Sequence, residues 1–95
     1  MTKAEARKRL ASLNLPSSQA AAARRTITRA TTLEDIEIAQ TASGEVIIRR
    51  SRPGQVFGYQ VFEDTIKADG SKEVVQRAYD DDGNLIHDDP KGGTP

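Results

Sequence analysis

Residues 55–87 read QVFGYQVFEDTIKADGSKEVVQRAYDDDGNLIH, and the reading of this stretch decides the fold. Two runs rich in β-branched and aromatic residues, 55–66 and 72–79, are separated by Ala68-Asp69-Gly70-Ser71, where Gly70 can take the positive φ of a tight hairpin turn. Asp80-Asp81-Asp82-Gly83-Asn84 is a second turn signal, and a short run at 85–87 follows it. Hairpins in series make an antiparallel meander. Within 55–66 the alternation slips from Phe57, Tyr59 and Val61 to Phe62 and Ile66, so a β-bulge at Gly58 is expected.

Upstream, EVIIRR at 45–50 is a clear strand, broken by Arg52-Pro53-Gly54 because proline cannot donate to a ladder. Thr41-Ala42-Ser43-Gly44 is turn-like. Ile36 and Ile38 alternate with Asp35 and Glu37, which favours a strand over 35–40 against a short helix opened by Thr32 with Asp35 as capping partner. Before residue 33 the period is helical. Residues 3–13 carry Ala6, Leu10 and Leu13 on one face, Pro16 ends that helix, and Ser17 or Ser18 can cap a second over 18–30. Its apolar seam is Ala20, Ala23, Ile27 and Ala30, small enough for close approach to a neighbour. The expected fold class is α+β: two N-terminal helices packed on a four- to five-stranded antiparallel meander sheet. The 95 residues make a single domain, helical over 3–31, sheet over 35–88, with a flexible tail over 89–95.

Hydrophobic residues are 36% and aromatics 4% of the chain, a thin supply for a core, so stability should be modest. The net charge of zero conceals an asymmetry. Residues 1–32 hold seven basic side chains against one acid, a net +6; residues 33–95 hold seven basic against thirteen acidic, a net −6. The basic helices are either solvated faces or an attractor for a polyanion or an acidic protein. Without cysteine there is no disulfide framework, thiolate metal site or thiol nucleophile. No apolar run approaches the ~18 residues that span a bilayer, so no membrane partner is expected. The first residues lack the apolar stretch of a signal peptide, so an export signal would lie elsewhere, on a longer parent chain.

Few side chains point to chemistry. His87 is the one histidine, flanked by Asp88 and Asp89, and is either a strand-end residue or a general acid or base. Arg49, Arg50 and Arg52 form the densest basic cluster outside the helices; along a strand Arg50 and Arg52 point one way and Arg49 the other. Forked guanidinium donors suit phosphate, and a basic sheet edge also resists aggregation. Tyr59, Gln60, Thr65, Lys72, Gln76 and Tyr79 lie on the central hairpin and either converge on one patch or make up its wet face. The 80–84 aspartates lack the alternating spacing and distal glutamate of an EF-hand. One imidazole beside adjacent carboxylates is not metal-ligand spacing. With no Gly-rich phosphate loop and no nucleophile elbow, neither metal nor cofactor is expected.

The second half resembles a C-terminal module of bacterial polymorphic toxins, the contact-dependent-inhibition and Rhs-type proteins. The residues that carry the resemblance are Arg52-Pro53-Gly54, Gly58-Tyr59-Gln60, Asp69-Gly70-Ser71-Lys72, Val74-Val75-Gln76, Ala78-Tyr79-Asp80, Gly83-Asn84-Leu85-Ile86-His87 and Asp89-Pro90-Lys91, about 40 of the 95 residues. The order of helices then sheet is similar to that of barnase-like, colicin-like and RelE-like ribonucleases. The resemblance implies a toxin domain released from a larger secreted polypeptide, acting in the bacterial cytoplasm as a metal-independent ribonuclease and neutralised by a cognate immunity protein. In that reading His87, Lys72 and Arg50 are catalytic, with His87 as acid or base and the cations stabilising phosphorane charge. Arg49, Arg52, Tyr59, Gln60, Gln76 and Tyr79 would bind RNA, a tyrosine stacking on a base. A lone histidine and an acidic second half depart from such an enzyme. The alternative is a non-enzymatic binding protein: an immunity or inhibitor protein, a phage anti-defence factor or a structural module of a toxin. A third reading is a nucleic-acid binder that uses the basic helices.

Overall fold

The computed structural model describes residues 1–94, with side chains described through Asp88. Helix α1 spans Lys3–Ala11 and α2 spans Ser17–Arg29; then come β1 (Asp35–Gln40), β2 (Val46–Pro53), β3 (Tyr59–Ile66), β4 (Lys72–Tyr79) and β5 (Leu85–Thr94). The strands form one antiparallel sheet in sequence order, the expected meander on two N-terminal helices. Pro95 and its share of the expected tail lie outside the described residues.

Local chemistry sets the helix ends. Thr2 and Glu5 make a reciprocal capping box that satisfies two first-turn amides of α1. Asn14 takes φ +52 in the turn between the helices, and Pro16, rather than Ser17 or Ser18, is the N-cap of α2, with no side-chain hydrogen bond. The α2 seam also lies further round the helix than its alanines imply: Gln19, Ala22, Ala23, Thr26 and Ile27 are the buried residues. Gln19 explains part of this shift. Its Nε2 donates to the backbone carbonyls of Gly44 and Ile66, both at 2.9 Å, tying the start of α2 to two hairpin turns. At the other end Lys3 Nζ donates to Thr28 O at 3.0 Å, so the first turn of α1 lies against the last of α2.

The core is small and free of aromatics: Ala6, Leu10, Ala22, Ala23, Ile27, Ala30, Ile36, Val46, Ile48 and Ile66, with Leu13, Leu15 and Ile38 packed against it. The register is Ile36↔Arg50, Ile38↔Ile48 and Gln40↔Val46, then Val46↔Ile66 and Ile48↔Asp64, which puts the core isoleucines on one sheet face. That inner face is covered by helices only in part. α2 packs on β2 and β3, and α1 on β1.

Two expectations about the strands are corrected. β3 pairs without a register shift on either side, so Gly58 is not a bulge; it lies just before the strand, and β3 carries apolar residues on both faces. The bulges fall between β4 and β5, at Val74/Val75 and Ala78/Tyr79, and they let β5 follow β4 to the pair Lys72↔Thr94. The last strand is therefore longer than 85–87, and the backbone from residue 89 to 94 is paired strand rather than a tail.

Four carboxylates, in a helix cap, two turns and the first position of β1, titrate below their ordinary values: Glu5 and Asp80 mainly through backbone amide hydrogen bonds, Asp35 through the Met1 ammonium and Asp69 through the Ser71 hydroxyl. A folded-state pKa below the unfolded one adds stability that is complete above the ordinary carboxylate range and lost as pH falls through the depressed values. The melting temperature should hold through neutral pH and fall below about pH 4. In Asp80→Asn, thermal melts should show a shallower acid slope than in the wild type.

Candidate functional site

Pleating divides the expected site residues between two faces. Following the register from β2 to β5, Arg50, Arg52, Gln60, Lys72, Gln76 and His87 lie on the inner face, while Arg49, Tyr59 and Tyr79 lie on the outer face. The nine do not form one patch. The opposition of Arg49 to Arg50 and Arg52 is as the strand period requires.

Two of the three expected catalytic residues belong to a buried ionic cluster. Arg50 Nη2 is 3.2 Å from Asp64 Oδ1 and Nη1 is 3.9 Å from Glu34 Oε1, while Lys72 Nζ is 3.5 Å from Asp64 Oδ2. The Asp64 side chain is 1% exposed and that of Glu34 3%. Lys72 also reaches the Thr26 hydroxyl of α2 at 3.5 Å, and the Arg50 guanidinium lies over the Phe62 ring, 5.2 Å from its centroid. Arg50 Nε is buried without a hydrogen-bond acceptor. Two cations facing two carboxylates make a largely neutralised structural cluster, poorly placed to stabilise charge on a substrate. Asp64 and Glu34 were absent from the expected site. Asp64 had a signal, because it stands between Phe62 and Ile66 in the apolar phase of its strand.

Beyond the helices the inner face is open. There His87, Ala78, Gln60 and Arg52 make one cross-strand row, with Gln76 and Phe62 in the row beside it. Arg52 Nε donates to Gln60 Oε1 at 3.1 Å, and its guanidinium also lies over Phe62, at 5.1 Å. Strand spacing of ~4.8 Å leaves the Cα of His87 roughly 14 Å from that of Arg52. Lys72 is six residues along β4 from Ala78, roughly 20 Å at ~3.3 Å per residue. The expected meeting of His87 with Lys72 and Arg50 is thus replaced by a shallow surface of His87, Gln76, Gln60 and Arg52.

On the outer face Tyr59 and Tyr79 are cross-strand partners whose rings stack at 4.9 Å and 15°. They are engaged with each other. Beside them is an open pocket of about 500 Å³ lined by Leu33, Asp35, Glu37, Arg49, Ser51, Arg52, Pro53, Gly58, Tyr59 and Val61. Arg49 is exposed and stands in register between Glu37 and Glu63.

The helical layer carries the other concentration of charge. Arg7, Lys8, Arg9, Arg24, Arg25 and Arg29 are all exposed. Among the described residues none of the six makes an ion pair; the bridges involve Met1, Arg50, Lys67, Lys72 and Arg77 instead. The one acid of the layer, Glu5, is held by the Thr2 cap. Arg24, Arg25 and Arg29 share a shallow depression on α2 with Ala21 and Thr28.

The fold and its surfaces define an α+β domain of helix-backed meander type, with a basic helical side and an acidic outer sheet face. No family model, curated protein or solved structure matches the chain.

Proposed function

We propose that this chain is a non-enzymatic binding domain that docks the phosphodiester backbone of a nucleic acid on its helical layer. The observation that carries this reading is the set of six exposed helical cations without a carboxylate partner among the described residues. Solvated basic faces usually hold interspersed acids at i±3 or i±4, which stabilise a helix and lower its field. Here α2 carries no acid at all, and the carboxylates that border the layer, Asp69 beside Arg25 and Glu34 and Asp35 in the depression that Arg7 shares, make no ion pair with its six cations. A concentrated cationic face of this kind gains its binding energy from counterion release, whatever the base sequence.

Affinity for labelled single-stranded RNA and for a labelled DNA duplex, followed by anisotropy, should fall steeply with salt. If all six cations contact phosphates, log K against log salt has a slope of about −4 on the single strand and about −5 on the duplex. Arg24→Ala, Arg25→Ala and Arg29→Ala together should flatten the single-strand slope by about 2, with the thermal melt preserved because all three are exposed. A flat salt response, or unchanged binding by the triple variant, rules the reading out. The two probes separate a preference for RNA from one for DNA.

The ribonuclease reading, with delivery from a larger secreted toxin and a cognate immunity protein, draws on the resemblance of residues 52–91 and on one observation. His87 shares the open inner face with Gln60, Gln76 and Arg52. It stands second because the register separates His87 from Arg52 and Lys72. Induced expression that arrests growth, with His87→Ala relieving the arrest in a folded protein, would put it first.

A further inference from the structure

The outer sheet face is unusual at one end. An open antiparallel face ordinarily alternates into polar residues, yet Pro53, Tyr59, Tyr79 and Leu85 form a continuous apolar row across β2, β3, β4 and β5. Tyr59 is 38% exposed and Leu85 51%. The connection at 54–58, at the same end, exposes Val56 at 90% and Phe57 at 55%. Next to this ridge the pocket of about 500 Å³ is walled by Leu33, itself 78% exposed, with Pro53, Tyr59 and Val61. A ridge of stacked aromatics beside a concave pocket is the form that binding hot spots take.

The charge around it is acidic. Asp35 and Glu37 line the pocket, and Asp81, Asp82 and Asp88 are exposed beyond the tyrosine row. Arg49 stands between Glu37 and Glu63, Arg77 bridges Glu63 and Asp88, Arg52 lines the pocket and the Met1 ammonium holds Asp35, so among the described residues four positive groups face the six carboxylates Asp35, Glu37, Glu63, Asp81, Asp82 and Asp88. We infer that this end of the outer face docks a protein partner that inserts an apolar side chain into the pocket and surrounds it with lysines and arginines.

The occupant follows from complementarity. Phosphate chains and anionic lipid headgroups are repelled by the acidic rim. A second copy placed face to face would set one acidic rim against the other, at a cost that like charges across an interface impose. A second copy placed head to tail would offer its helical layer, where the depression formed by Ala21, Arg24, Arg25, Thr28 and Arg29 presents no apolar side chain larger than a methyl group to fill the pocket. The inference does not rest on the nucleic-acid reading. It uses the opposite side of the molecule.

The test is a titration of the full chain, read by amide chemical shifts, with a capped peptide holding one tryptophan between lysine pairs, and with its glutamate counterpart. The lysine peptide should shift Tyr59, Val61 and Tyr79, and bind about tenfold more tightly than the glutamate peptide at low salt. Tyr59→Ser with Tyr79→Ser should abolish the shifts. Should that pair fail to fold, Glu37→Lys with Asp82→Lys keeps the aromatic ridge and should remove the preference for the lysine peptide. Absence of shifts at millimolar peptide, equal binding of both peptides, or shifts confined to another surface overturns the inference. So does a sedimentation result in which the chain dimerises through Tyr59 and Tyr79, which would make a second copy the occupant.

Discussion

Asp64→Ala should destabilise the domain by about 3–5 kcal/mol, the cost of removing one partner from a buried ion pair and leaving the other charge uncompensated. A small domain sits near the lower end of the usual 5–15 kcal/mol, so most of its stability is at stake. The reason lies in the register. Asp64 occupies a core position of β3, between Ile48 on β2 and Val74 on β4, and its carboxylate holds both Arg50 and Lys72. Its loss leaves Arg50 and Lys72, half-buried with side chains 16% and 21% exposed, without their shared carboxylate, and Arg50 already has an unpaired Nε. Urea unfolding should show the midpoint falling with little change in slope. The contrasting variant is Asp64→Leu with Arg50→Met, Lys72→Met and Glu34→Gln, which removes all four charges and leaves position 34 able to accept from the Thr31 amide. Exchanges of this kind are neutral or stabilising by about 1–4 kcal/mol in well-packed sites. A single variant that loses less than about 1 kcal/mol would show the cluster to be wet rather than buried, and would return Arg50 and Lys72 to the pool of available phosphate-binding cations.

The same cluster marks the limit of what the sequence reveals. The meander is legible because its turns are punctuated by Gly44, Gly70 and Gly83 at positive φ, a conformation those positions demand and few other residues tolerate. The helices are legible from period and propensity, and β1 from two isoleucines at alternate positions. Strand parity is also legible: it set Arg49 apart from Arg50 and Arg52, and applied to β3 it would have separated Tyr59 from Gln60. Partnering is harder to read. Lys72 looks like a free amine until pairing places Asp64 next to it, and Tyr59 and Tyr79 look like separate stacking platforms until the register makes them each other's neighbour. Apolar residues on both faces of β3 break the simple alternation and mimic the signature of a bulge. The inner-face set packs toward the core and the outer-face set builds the exposed ridge, so no extra residue is needed there. A period argument assumes one wet face, and this sheet uses both.

Gly58→Ala should cost much more than Gly83→Ala, although both glycines have positive φ, +67° and +85°. The left-handed region alone costs a residue with a Cβ about 1–2 kcal/mol. At Gly83 nothing lies within 4 Å of the added carbon, so that strain is the whole effect. At Gly58 a Cβ would stand 1.9 Å from the Tyr79 carbonyl oxygen and 2.9 Å from its carbon, both backbone atoms that cannot rotate away. Relieving the overlap requires the connection at 54–58 to lift off the end of β4. That breaks the 2.7 Å bond from the Gly58 amide to Asp81 and adds an overpacking cost of about 1–3 kcal/mol. Expected losses in urea are therefore ~1 kcal/mol for Gly83→Ala and ~3 kcal/mol or more for Gly58→Ala. The second substitution also has a consequence beyond stability. Gly58 adjoins Tyr59, so shifting its backbone disturbs the stack against Tyr79 and the pocket wall beside it. At a temperature where Gly58→Ala is still folded, its lysine-peptide affinity should drop while binding to RNA through the helices stays unchanged. Equal stability losses in the two variants would mean that the chain end at β4 is loose. In that case the apolar row would not be preorganised as a docking surface.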